Sequence, residues 1–162
     1  MRQFFTLFLG LSFLFLQAQN SSFVGTFSGS SEESAVDMVQ TSNGDYYFLA
    51  NTTSYGQGGM DIYLVKTNGL GELSWAYAYG TTSDDSATSL TLLSDGQLLV
   101  TGISDGYSSN YSSGLVLKIN GSGTTTWSKV LSSDSTVHIT DAVQTTSGDI
   151  YLTGSVVLDS LD

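Results

Sequence analysis

The sequence predicts an all-β protein, namely a partial β-propeller of four-stranded antiparallel blades, with two full blades and an incomplete third, preceded by a signal peptide. Three observations predict it. The composition is rich in Gly, Ser, Thr and Asn and contains no Pro or Cys, which favours strands and turns over helices. The sequence repeats at a period of 52 residues without a gap. Short apolar segments separated by Asn-Gly or Asp-Gly turns recur at a fixed phase in each period.

The first residues have the pattern of a targeting signal. A short basic segment, Met1-Arg2-Gln3, precedes an almost wholly apolar run over residues 4–16 and then Gln17-Ala18-Gln19. That run is shorter than the roughly 20 residues needed to span a bilayer. We therefore expect residues 1–19 to be a secretory signal peptide cut after Ala18, with an uncleaved anchor as the alternative. The mature chain is then secreted or displayed on a cell surface, without a stable membrane span.

The remainder, residues 20–162, is expected to be a repeat region. We divide it into units 21–72 and 73–124 and an incomplete unit 125–162. The positions that recur at the period include the turn glycines Gly44, Gly96 and Gly148 and the aromatic set Phe23, Trp75 and Trp127. Fixed self-similarity of this length is typical of propellers and related repeat proteins.

Each full unit reads as four strands, the first unit beginning with residues 22–27 and the second with the Trp75 strand. Runs such as Tyr46–Ala50 and Asp61–Lys66 are nearly continuous in apolar residues, as expected for strands covered on both faces. In a propeller each blade is covered by its two neighbours, and the Trp position would pack between blades. A β-sandwich tolerates as many strands but does not explain the gapless period.

Propellers usually close with four to eight blades, so we expect this chain to require the remaining blades of the same longer chain, or further copies. The turns are expected to be tight hairpins in which Asn-Gly and Asp-Gly supply positive φ angles.

The units resemble a family of long β-propeller repeats found in exported bacterial proteins, and similar repeats occur in secreted proteins of single-celled eukaryotes. The matching motifs are Gly80 with Ser83-Asp84-Asp85-Ser86-Ala87, Thr41-Ser42-Asn43-Gly44, Asp61-Ile62-Tyr63-Leu64-Val65-Lys66, and Gly71 to Trp75. The resemblance implies a secreted or surface location, often with a sorting domain in the parent protein, and supplies no catalytic residues. Unit two departs from the pattern with Ser113-Gly114-Leu115, and unit three replaces the acidic pair with Thr136-Val137.

The charge limits the partners. Four basic residues face fifteen acidic ones, for a net charge of −11, so a nucleic-acid backbone would be repelled. Clustered loop carboxylates could hold Ca²⁺, although solvated loops are the interpretation we favour, and no cofactor is predicted. The calcium candidates are Glu32, Glu33, Asp84 and Asp85.

Other candidate sites lie in polar loops. Tyrosines in the Gly/Ser-rich loops suit recognition of a protein or a glycan, or act as simple loop anchors; they are Tyr55, Tyr107 and Tyr111. Four sequons matter if the source is eukaryotic, at Asn20, Asn51, Asn110 and Asn120. The sole histidine, His138, has no counterpart in the other units, and no G-x-S-x-G motif is present, so we expect no enzyme activity.

These patterns favour a non-enzymatic scaffold for protein interaction or adhesion. One alternative is a carbohydrate-binding, lectin-like propeller in which the loop tyrosines are contacts. The other is the propeller portion of a larger secreted hydrolase.

Overall fold

The structure is a computed structural model that describes residues 25–157. The expected signal peptide, Phe23 and Asn20 lie outside this range. The described residues form ten β-strands and no helix, so the all-β prediction is confirmed. The strands are β1 (Glu33–Gln40), β2 (Tyr46–Thr52), β3 (Asp61–Thr67), β4 (Leu73–Tyr79), β5 (Asp85–Leu92), β6 (Leu98–Ser104), β7 (Ser113–Ile119), β8 (Thr125–Leu131), β9 (Thr136–Gln144) and β10 (Ile150–Val157).

The strands form three antiparallel sheets in simple sequence order. The first sheet is β1-β2-β3-β4, the second is β5-β6-β7-β8, and the third is the pair β9-β10. Each full sheet carries a register shift in its first strand, between Ala35 and Asp37 in the first sheet and between Ala87 and Ser89 in the second. The repeat in sequence is therefore a repeat in structure, down to its irregularities.

The sheets are offset by one strand from the sequence units. The Trp75 strand, β4, pairs with β3 and is the last strand of the first sheet. In the sequence division, by contrast, unit 73–124 begins with β4 and unit 125–162 begins with the equivalent strand, β8. The turn at Asn68–Gly71 joins β3 to β4 as a hairpin, and the chain crosses to the next sheet only after Tyr79. Residues 25–27, the described part of the expected first strand, are not in a strand.

All five hairpin turns share one conformation. In the first, the Gly44 amide donates to the Thr41 carbonyl and the Thr41 amide donates to the Asp45 carbonyl, with Gly44 at φ +93°. This is the pattern of a type I turn followed by a left-handed glycine, and the glycines of Asn43-Gly44 and Asp95-Gly96 supply the positive φ as expected. In the turns at Asn68 and Asn120 the positive φ falls on Gly71 and Gly123, so the expected Asn-Gly pairs do not supply it.

The side chain of Asn68 shows the reason. Its Oδ1 accepts hydrogen bonds from the amides of Leu70 and Glu72, at 2.9 and 3.0 Å, which caps the loop and places the left-handed residue three positions later. Asn120 does the same for Ser122 and Thr124.

The core lies between the sheets, which stack face to face. Leu49 and Leu64 of the first sheet pack with Leu98 and Val100 of the second. The opposite face of the second sheet, including Leu99, packs against the third. Alternate residues of β6 thus face different neighbours, and β3, β6 and β7 are buried over nearly their whole length. The prediction of strands covered on both faces is confirmed for β6 and β7. No described sheet covers the outer face of β3, and β2, which holds the run Tyr46–Ala50, is buried mainly at alternate residues.

Trp75 and Trp127 occupy the same register position, opposite Lys66 and Lys118 respectively. Trp75 packs against the core between the first two sheets, and its Nε1 donates to the carbonyl of Gly121 in the second sheet's last turn, at 3.2 Å. Trp127 is 39% exposed. Among the described residues no turn of a third sheet stands in the position equivalent to Gly121, so Trp127 has no such contact there.

Candidate functional site

The connections fall into two groups at opposite ends of the sheets. The five short hairpin turns lie at one end, the turn end. The longer connections lie at the other, the loop end, and they are residues 53–60, 80–84, 105–112 and 132–135. Neighbouring loops bond to one another, since the Asp85 amide donates to the Met60 carbonyl at 2.7 Å and the Asp105 amide to the Asp84 carbonyl at 2.9 Å. The loop end is therefore a continuous surface that joins adjacent sheets.

A cleft of about 550 Å³ opens at the loop end of the first sheet, and we call it the tyrosine cleft. Tyr55 and Tyr63 stack with ring centroids 5.2 Å apart and an interplanar angle of 19°. The Tyr55 hydroxyl donates to the Ser28 carbonyl at 3.2 Å, and the residue is 43% exposed. The remaining lining consists of Gly56, Gln57, Asp61, Ala76, Tyr77, Ala78 and Gly80.

Only the first sheet has such a stacked pair. Tyr107 holds the position equivalent to Tyr55 one period later and is 49% exposed. At the position equivalent to Tyr63 stands Leu115, so Tyr107 has no tyrosine ring there to stack on. Tyr111 is half-buried, and its amide donates to the Ser108 hydroxyl at 3.3 Å. Tyr55 thus has a stacked ring partner that Tyr107 lacks.

Two carboxylates are buried beside the cleft. Asp61 is 1% exposed and Asp85 is wholly buried. Asp61 Oδ2 accepts from the Gln57 amide at 2.9 Å, and Asp85 Oδ2 accepts from the Thr81 amide and hydroxyl, at 2.5 and 2.8 Å. The Oδ1 atom of each carboxylate has no hydrogen-bond partner. Burial raises the pKa of Asp61, and the negative charges of Asp85 and Asp84 raise it further.

The other predicted calcium candidates have protein partners. Glu33 accepts from the Gly29 amide and the Thr52 hydroxyl, and hydrogen bonds, above all that from Ser54, lower the pKa of its carboxyl. Asp84 accepts from the Met60 amide at 2.9 Å, and Glu32 contributes its backbone to Thr53. Within residues 25–157 no three acidic or histidine side chains converge tightly enough to hold a metal by themselves.

The described sequon asparagines differ in accessibility. Asn51 accepts from the Ala87 amide across the first junction at 2.8 Å, and Asn120 caps its own turn. Asn110 is exposed on the loop end, so it is the described sequon whose side chain faces solvent.

An apolar groove of about 780 Å³ lies on the outer face of the first sheet, the face turned away from the second sheet. Its lining includes Phe27, Met38, Phe48 and Val65, and the rings of Phe27 and Phe48 lie 6.0 Å apart. The equivalents of Phe48 and Val65 in the second sheet, Val100 and Leu117, are buried against the first sheet.

Sequence reasoning missed the partners that complete the cleft. Tyr63 has the pattern of an ordinary strand residue, and Asp61 is only the first residue of a buried strand. The signal that could have found them is their substitution by Leu115 and Ser113 one period later. A scan against protein-family models finds no match for this chain, and a search of curated proteins finds none either. The described residues also contain no helix long and apolar enough to cross a membrane.

Proposed function

We propose that the chain is part of an exported β-propeller repeat protein that acts as a non-enzymatic scaffold for protein interaction or adhesion. The observation that carries the proposal is the stacking of equivalent sheets. The face of the second sheet that holds Val100 and Leu117 packs on the first sheet, and the opposite face packs on the third. Repeated stacking of this kind is how propeller blades cover one another.

The apolar groove on the first sheet supports the same proposal. Its residues Phe48 and Val65 are equivalent to Val100 and Leu117, which a neighbouring sheet covers. Met38 in this groove is 51% exposed. A sheet with an apolar face buries it against another layer, and another blade of a longer chain would match this one in shape and chemistry.

Ligands of the scaffold are expected at the loop end, where the long connections and the exposed tyrosines lie. The test is adhesion of beads coated with the chain to surfaces coated with collagen or with mucin. Tyr55→Ala and Tyr107→Ala should weaken adhesion, whereas Leu70→Ala, an equally apolar truncation at the turn end where Leu70 is 64% exposed, should not. Equal loss in all three variants, or adhesion in none of the proteins, would contradict the proposal.

A second candidate, a lectin-like function, is favoured by the tyrosine cleft. Its volume lies within the range of small-molecule sites, and such sites combine aromatic walls with a few polar groups, here Gln57 and Asp61. Binding to an array of immobilised glycans tests it. Tyr55→Ala should weaken binding by roughly two- to thirteen-fold, as expected for loss of a stacked aromatic contact of about 0.5–1.5 kcal/mol. Tyr107→Ala makes the same change at a tyrosine without a stacked partner and should leave glycan binding unchanged. If the chain binds no glycan, the lectin-like function is rejected and the interaction scaffold is the proposal that stands.

A further inference from the structure

The buried pair Asp61 and Asp85 lacks the partners that buried charges require. Each carboxylate has one oxygen bound by the protein and one oxygen, Oδ1, with no donor. Both side chains are more than nine-tenths buried. Buried charges in proteins are normally paired or coordinate a metal, so two such carboxylates with unused oxygens call for a positively charged partner.

The two carboxylates face a common point beside Gly80. A Cβ built on Gly80 would overlap Asp61 Oδ1 and would lie 2.9 Å from Asp85 Oδ2. Gly80 lines the tyrosine cleft together with Asp61, so this point is reached from the cleft. The absence of a side chain at position 80 therefore lets Asp61 Oδ1 and Asp85 Oδ2 lie side by side at this point.

No basic side chain of the described residues forms an ion pair with either carboxylate. Lys66 pairs with Asp45 at 3.1 Å and Lys118 with Asp95 at 2.7 Å, both at the turn end. The like charges of Asp61 and Asp85 therefore repel each other with no basic side chain of the described residues to offset them.

The second junction of the same chain shows the neutral version of this site. The positions equivalent to Asp61, Gly80 and Asp85 hold Ser113, Ser132 and Val137. The hydroxyls of Ser113 and Ser132 bond to each other at 2.8 Å, which satisfies both. The fold therefore does not need acids here, and the first junction carries them where a satisfied neutral pair would suffice.

We propose that Asp61 and Asp85 bind a calcium ion at the junction of the first two sheets, with entry through the tyrosine cleft. Calcium fits because it accepts carboxylate, carbonyl and water oxygens in a flexible geometry, and the two carboxylates leave the remaining ligands to backbone and water. Zinc would require the nitrogen or sulfur ligands that this site lacks. With two carboxylates we expect an affinity in the range of extracellular calcium modules, a Kd of roughly 0.1–1 mM.

The test is a calcium titration of the chelator-stripped full chain, followed by calorimetry and by thermal unfolding. Near-saturating calcium should raise the Tm by roughly 5–10 °C. Terbium provides a local readout, because Tyr63 lines the cleft beside Asp61 and should sensitise its luminescence, which added calcium should then quench.

Four variants locate the site. Asp61→Asn and Asp85→Asn should fold at least as well as the metal-free parent and lose the calcium response. Asp134→Asn, which removes one exposed charge elsewhere on the loop end, should keep it. A triple variant D61S/G80S/D85V copies the second junction and should fold without responding to calcium, which covers the case in which a single Asn variant fails to fold.

Three results would overturn the proposal. The first is a parent chain with neither a calcium-dependent Tm nor tyrosine-sensitised terbium luminescence. The second is a calcium response that survives in the triple variant. The third is an Asp61→Asn variant that is more stable than the metal-free parent while calcium changes the stability of neither protein. The two carboxylates of the parent would then share a proton instead of binding calcium.

Discussion

Replacement of the two equivalent tryptophans by alanine measures how much the stacking of sheets stabilises the protein. Trp75→Ala removes an indole that stacks on the Tyr77 ring at 5.3 Å and packs tilted against the Tyr47 ring at 5.8 Å, together with the hydrogen bond to Gly121. Full burial of a tryptophan makes this substitution cost about 3–5 kcal/mol, and the partial burial of Trp75 places the expected loss at about 2–3 kcal/mol. Trp127→Ala is the matched control.

Trp127 has the same strand position and register, but it is 39% exposed and contacts no turn of a following sheet in the part of the chain that the structure describes. Its truncation should cost no more than about 1 kcal/mol, the usual value for a substitution away from the core. The free energies of unfolding are measured by urea denaturation followed by circular dichroism, which does not depend on the tryptophan that is removed. Equal losses at the two positions would refute the reasoning, because the sheet junction would then contribute nothing.

Three further predictions concern the buried hydroxyls, the pH dependence and the leader. Thr101→Val should destabilise the protein by about 1–3 kcal/mol, because Thr101 is wholly buried and bonds Ser89 at 2.8 Å, whereas Thr153→Val, its exposed equivalent, should cost under about 0.5 kcal/mol. In the presence of a chelator, the parent should lose stability relative to Asp61→Asn as the pH rises from about 4, the pKa of an aspartate in the unfolded chain, through the raised pKa of Asp61 in the folded protein. Between these two values the folded state binds the extra proton, so the free energy of unfolding falls as the pH rises. Secretion of the chain should give a mature protein that begins immediately after Ala18, as read by intact mass.

Each of these has an outcome that contradicts it. Equal losses of unfolding free energy in Thr101→Val and Thr153→Val would show that Thr101 does not lie in a buried network of hydroxyls. A parent that gains stability over Asp61→Asn as pH rises would mean that the folded pKa of this carboxyl is lowered rather than raised. A secreted product that retains residues 1–18 would contradict the predicted cleavage of a signal peptide after Ala18.

Much of the fold was predictable because the signals that specify it are local. Asp61–Thr67 is the strand that the sequence predicts, since a continuous apolar run between turn residues leaves little choice. The membership of sheets was not predictable in the same way. A period of 52 residues can be cut before any of its four strands, and only the hairpin at Asn68–Gly71 and the crossing after Tyr79 decide that the Trp75 strand closes a sheet.

The site was less accessible to sequence reasoning because it is made by tertiary contacts. Tyr55 and Asp85 stand in loops or at a strand start, where their polarity draws attention. Tyr63 is a strand residue whose pattern is that of the core, and Asp61, although it begins β3, directly precedes a continuous apolar run. The proximity of Asp61 to Asp85 arises from the packing of two sheets and from the missing side chain at Gly80, and no spacing along the chain encodes it.

The most direct test of the stacked arrangement is a proton–proton NOE measurement across the junction of the first two sheets. The account predicts NOEs between the Trp75 indole NH and Gly121 and between the Tyr79 ring and Gly123, because Trp75 Nε1 and the Tyr79 hydroxyl bond those carbonyls at 3.2 and 2.6 Å. NOEs from Trp75 and Tyr79 confined to their own sheet would contradict it.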